Sequence, residues 1–188
     1  MKKGIIIAIT IILAGIILFF IVPWDNFFST TESENSLEDD NKYTKKDGFQ
    51  IIIDEERYKW SEKQENVLVP KEPLDERYPE VSMKIEHFPS SPHTELLPEL
   101  EEQMKETYSN VSEPESILEP VKGIKLHGID QEDGLSNWDS PVSNIYVLDN
   151  GEGGSLVITE KYFLEAAEGH GANFYHMLET LEIIVKTD

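Results

Sequence analysis

Two apolar runs with alternating character, Asn144 to Asp149 and Ser155 to Leu164, flank the pentapeptide Asn150-Gly151-Glu152-Gly153-Gly154. Asn and Gly tolerate the positive φ of tight turns, so this arrangement predicts a β-hairpin and commits this part of the chain to antiparallel pairing. It is the strongest local signal in the sequence.

Further elements follow from the same patterning. Gly48 to Asp54 and Val67 to Val69 are short apolar runs closed by charges or proline, and both read as strands. Val81, Met83 and Ile85 alternate with Ser82, Lys84 and Glu86, the period of a half-buried strand ending near Phe88. Leu96, Leu97, Leu100, Met104 and Tyr108 fall on one helical face, with Pro98 expected in the opening turn. The segment 109–120, with two prolines, is expected to be a loop. Val121 to Ile129 reads as a strand, and Gly169 and Gly171 end the hairpin's second strand. Phe174, Met177, Leu178 and Leu181 then mark a short amphipathic helix before a terminal strand, Glu182 to Val185. The order predicts an α+β domain whose mostly antiparallel sheet is covered by helices.

The N-terminus has another character. Gly4 to Val22 is a 19-residue run without a charge, preceded by Lys2 and Lys3 and followed by Pro23 and Trp24. As a helix it would span about 28 Å, close to the hydrocarbon core of a bilayer. A cleaved signal has a shorter apolar region and a small-residue cleavage site, so an uncleaved single-pass anchor is the preferred reading. The lysines place the N-terminus in the cytoplasm and the rest outside the cell membrane. The expected organisation is therefore a stub and transmembrane anchor over 1–24, a flexible acidic linker over 25–46, and an extracytoplasmic domain over 47–188.

Charge narrows the function classes. From Asp47 onward there are 11 Lys and Arg against 31 Asp and Glu, a net charge of −20 out of −21 for the chain. Nucleic acid is not an expected partner, because such binding rests on neutralising phosphates with basic side chains. A cationic protein face is the partner this acidity fits, beside the bilayer that residues 4–22 would enter. With no cysteine, disulfide scaffolds, thiol catalysis and cysteine-ligated metals are excluded.

The succession of Gly48, Phe49, Ile51 and Ile53, then Trp60, a central helix, a long hairpin, and a helix running through Phe174, Met177 and Leu178 to a final strand resembles the PsbP-like family over about residues 48–186. That family includes an oxygen-evolving enhancer of photosystem II and a Ran-binding import factor. The resemblance implies an α/β/α sandwich and a binding, accessory role. It transfers no functional residue.

Catalytic and ligand-binding patterns are sparse. The histidines, His87, His93, His127, His170 and His176, form no HExxH motif. Glu168 and His170 on one extended stretch are the nearest approach to a chelating pair, and no metal or other cofactor is expected. The acidic loops 130–134 and 149–152 invite a calcium reading but miss the EF-hand register. Ser155 lacks a G-x-S-x-G context, and no glycine-rich phosphate loop is present, so no enzymatic activity is expected. Two contact surfaces remain. The long stretch 130–143 carries Trp138 and Asp139, where packing of Trp138 on the sheet is weighed against presentation to a partner, and packing is preferred. At 168–173, Glu168 and His170 precede a helix whose free N–H groups suit an anion, although internal capping by Glu168 or Asn173 is preferred. Asn110-Val111-Ser112 is a formal glycosylation acceptor. The reading is a membrane-anchored, extracytoplasmic binding or accessory module. The alternatives are a metal- or carboxylate-dependent envelope hydrolase and a weak calcium-responsive module.

Overall fold

The computed structural model describes residues 43–72 and 74–185. The predicted hairpin is the centre of the fold. Strands β9 (Pro141–Asp149) and β10 (Ser155–Phe163) pair over nine positions, from Ser155 opposite Asp149 to Phe163 opposite Pro141. In the turn only Gly151 and Gly153 take positive φ, 79° and 86°. Asn150 works through its side chain instead: its Oδ1 accepts from the backbone N–H groups of Glu152 (2.9 Å) and Gly154 (2.8 Å).

The other strands add outward from this pair, all antiparallel. They are β3 (Tyr58–Trp60), β4 (Val67–Pro70), β5 (Ser82–Phe88), β6 (Asn110–Val111), β7 (Glu115–Ile117) and β8 (Gly123–Ile129). The sheet order is β3-β4-β5-β10-β9-β8-β6, with β7 also paired to β8. A separate three-stranded sheet has the order β1-β2-β11, formed by β1 (Thr44–Lys46), β2 (Phe49–Ile51) and β11 (Glu182–Ile183).

Side-chain alternation gives the large sheet two faces, each with its own core. On one face Met83, Ile85, Tyr146, Leu148, Leu156 and Ile158 pack with Phe49 and Ile51 of the small sheet and with Phe174, Met177 and Leu178 of helix α2 (His170–Leu178). On the other, Leu126, Ile145, Val147 and Val157 meet Met104, Leu96, Leu97 and Leu100 of helix α1 (His93–Thr107). Each fully buried apolar side chain contributes about 1.5–3 kcal/mol. Gly128 lets α1 approach: a Cβ there would lie 2.6 Å from Met104 Cε and 3.0 Å from the Tyr108 ring.

These findings correct the expected fold class. The domain is not a sheet sandwiched between helical layers but mostly antiparallel sheet: among the described residues there are two short α-helices, of 15 and 9 residues, one on each face. The face that carries α2 is shared with another sheet, because the apolar run at Phe49–Ile51 pairs with its neighbours β1 and β11 and lays its own buried side chains on the core. The segment expected to be a loop, 109–120, supplies β6 and β7, which take their backbone partners from β8. Pro98 lies inside α1, beyond the opening turn, where it leaves the carbonyl of Thr94 without its helical donor. Strand β1 begins within the stretch read as a linker.

The transmembrane, single-pass reading is corrected in the same way. Among the described residues no helix is long and apolar enough to cross a membrane. The longest, α1, would reach about 22 Å against the ~30 Å of a bilayer core, and its sequence includes five glutamates. The run 4–22, with the stub and most of the linker, lies outside the described residues.

Candidate functional site

Three connections gather at one end of the large sheet: β4–β5 (residues 71–81), β8–β9 (residues 130–140), and the 3-10 turn Leu164–Ala167 that follows β10. The register requires it, since Ser82 stands opposite Lys161, Ile129 opposite Val142, and Pro141 opposite Phe163. The β8–β9 connection is ordered by its own hydrogen bonds. Glu132 and Leu135 exchange both backbone bonds at 3.0 Å around Asp133 and Gly134, whose φ values of 53° and 76° close a tight turn. The calcium reading of 130–134 therefore falls on a two-residue turn. Ser140 Oγ accepts from the Asn137 N–H at 2.9 Å, and Glu165 N–H donates to the Trp138 carbonyl at 2.9 Å, which ties the connection to the 3-10 turn.

This scaffold presents an aromatic stack. Phe163 is buried, Tyr78 stacks on it with ring centroids 5.3 Å apart, and Trp138 meets Tyr78 edge to face at 5.8 Å. Trp138 is 53% exposed, so it does not pack down on the sheet as preferred from sequence; Asp139 beside it is half-buried. Leu74, Leu135 and Leu164 are exposed on the same three segments. Residues 71–81, 130–140 and 164–168 hold ten Asp and Glu but only two cations, Lys71 and Arg77. Arg77 is engaged by Asp75 through two bonds of 3.0 and 3.1 Å. The result is an exposed aromatic pair in an acidic frame.

Glu168 and His170 do not join this group, and they do not converge with each other. Glu168 is exposed after the 3-10 turn. His170 opens α2 half-buried, its Nδ1 2.7 Å from the buried Tyr58 hydroxyl. Burial, with the Arg57 guanidinium nearby, lowers the His170 pKa below the ordinary imidazole value. Gly169 is the N-cap of α2 and no side chain caps it. Asn173 does not serve as a cap; its Oδ1 accepts from Arg57 at 2.9 Å. Among the described residues no three His, Asp or Glu side chains are grouped as metal ligands would be.

A second polar group escaped the sequence reading. On the face that carries α2, Glu160 of β10 is 1% exposed. Its Oε2 accepts from Asn144 Nδ2 (3.0 Å) and from the Tyr146 hydroxyl (3.3 Å), and its Oε1 has no partner. Asn144 Nδ2 also donates to the Tyr162 hydroxyl (2.8 Å), and Asn144 Oδ1 accepts from His127 Nδ1 at 2.9 Å. Burial pushes the Glu160 carboxyl up to about 7, against the lowering effect of Asn144, Lys125 and Tyr146. One sequence signal could have found it: Leu156, Ile158, Glu160 and Tyr162 share the parity of the apolar face.

On the opposite face, beside α1, a groove of about 910 Å³ is floored by Ser82, Lys84, Thr159 and Lys161. Its two lysines are already matched, Lys84 by Glu86 at 2.7 Å and Lys161 by Glu80 at 3.5 Å. No protein-family model and no curated protein sequence matches the chain, so function is read from its own residues.

Proposed function

We propose that the domain is a binding, accessory module that takes a protein partner with a cationic face at the aromatic end of its sheet. The observation that carries this reading is the exposed Trp138–Tyr78 pair, held by a buried Phe163 and surrounded by acidic side chains. Large aromatics anchor interfaces because they bury much surface with little conformational entropy to lose. Arginine and lysine also sit favourably over an indole face, and the surrounding carboxylates speed the approach of a basic surface.

The test places a photo-crosslinking residue at position 138 or at position 118 of the full chain in cells. Leu118 is 78% exposed just beyond β7, at the opposite end of the sheet, and serves as the control. Capture of one basic partner from position 138 alone, weakened by added salt, is the expected result. Equal capture from both positions, or capture of an acidic partner, would overturn the reading.

A further inference from the structure

We propose that Glu160 and the side chains around it form a proton-binding site that holds α2 on the sheet when the carboxyl is neutral and loosens that contact when it ionises. The site stands apart from the aromatic end and does not depend on it. Its geometry is unusual for a glutamate. The carboxyl sits on the apolar face of a central strand, one oxygen receives two donors, and the other receives none. A neutral carboxyl tolerates that position, whereas a carboxylate with a bare buried oxygen does not.

The groups facing Glu160 do not supply the missing charge. From β9 they are Asn144 and the Tyr146 hydroxyl, and from its own strand Tyr162, joined to it through Asn144. From β8, Lys125 attracts it at a distance, with its Nζ 5.6 Å from the Tyr146 ring centroid, and His127 is reached only through Asn144. From β5 the opposed residue is Met83, which is apolar. From α2 the Tyr175 phenol acts on Tyr146, and no α2 group acts on Glu160 itself. Helix α2 lies on this same face, against Tyr162, two residues along the strand from Glu160. That contact is close: a Cβ on Gly171 would lie 3.2 Å from Tyr162 Cζ, and Phe174 and Leu178 are fully buried beside the sheet. Loss of the proton therefore acts on the seat of α2.

The test is amide hydrogen exchange of the full chain at pH 6 and pH 8, corrected for the intrinsic pH dependence of exchange, and read over Phe174 to Leu178. In the wild type, protection of this segment is expected to be up to about tenfold lower at pH 8. In Glu160→Gln, which stays neutral, protection is expected to be the same at both values. Equal protection in the wild type, or the same loss in Glu160→Gln, would overturn the proposal. If the variant does not fold, carbon-13 NMR of the wild-type Glu160 carboxyl decides. A midpoint near neutrality that coincides with the loss of α2 protection supports the site, and a midpoint in the ordinary carboxylate range overturns it.

Discussion

Glu160 and Asn144 stand directly opposite each other on β10 and β9, with Asn144 Nδ2 3.0 Å from Glu160 Oε2. A single amide thus joins the buried carboxyl to the Tyr162 hydroxyl and, through its oxygen, to His127. The cross-strand pair turns an acidic residue into part of the core, where its ionised form is disfavoured.

Stability should therefore fall as pH rises through this group's range. Its folded pKa, about 7, is raised above the ordinary 4.5, so the folded state holds the proton more tightly than the unfolded chain. The contribution is fully present below about pH 4.5 and is lost by about pH 7, amounting to about 3 kcal/mol at most. Denaturant midpoints measured from pH 5 to pH 8 should decrease more in the wild type than in Glu160→Gln, which is expected to be the more stable protein at pH 8.

Trp138 should be nearly dispensable for folding. Being half-exposed and in contact with another exposed ring, its replacement by alanine should cost about 1 kcal/mol or less. Phe174→Ala, in the fully buried core, should cost about 3–5 kcal/mol. Chemical denaturation separates the two, and a Trp138→Ala variant that unfolds as readily as Phe174→Ala would place Trp138 in the structural core.

Gly154→Ala should be strongly destabilising, by about 2 kcal/mol or more. Its Cβ would lie 2.2 Å from the Phe88 carbonyl oxygen and 2.4 Å from that of Pro89, both backbone atoms that cannot rotate away. Gly153→Ala meets nothing within 4 Å and is penalised only by its positive φ. Thermal melts of the two variants should rank Gly154→Ala well below Gly153→Ala.

Pro98→Ala should stabilise α1. The exposed proline interrupts the helical bonding without filling any core position, and alanine restores a donor to the Thr94 carbonyl. A gain of about 1–2 kcal/mol is expected after allowing for the freer unfolded chain. Equilibrium unfolding checks it, and an unchanged or lowered midpoint would contradict it.

The hairpin β9–β10 was legible because strand period and turn chemistry are both local. The alternation in 82–88 and the apolar stripe of α1 were legible for the same reason. Strands β6 and β7 were not, since Asn110–Val111 and Glu115–Ile117 have no strand pattern and become strands only where β8 offers its edge. The covering sheet was hidden likewise: Gly48 to Asp54 reads as one strand among others, and nothing in it says that it pairs with the C-terminal Glu182–Ile183. At the candidate site, Trp138 was singled out by its long connection, but its partner Tyr78 lies 60 positions earlier and was not.

The sequence by itself determined the antiparallel hairpin, the short helices, the acidity and the absence of cysteine chemistry, because each depends on residues close together in the chain or on composition alone. Only the tertiary structure decided which layer covers each face, that Glu160 is buried with a bare oxygen, and that Trp138 and Tyr78 meet at one end of the sheet. These depend on strand order and register, which bring together residues far apart in sequence and settle whether a side chain meets water or the core.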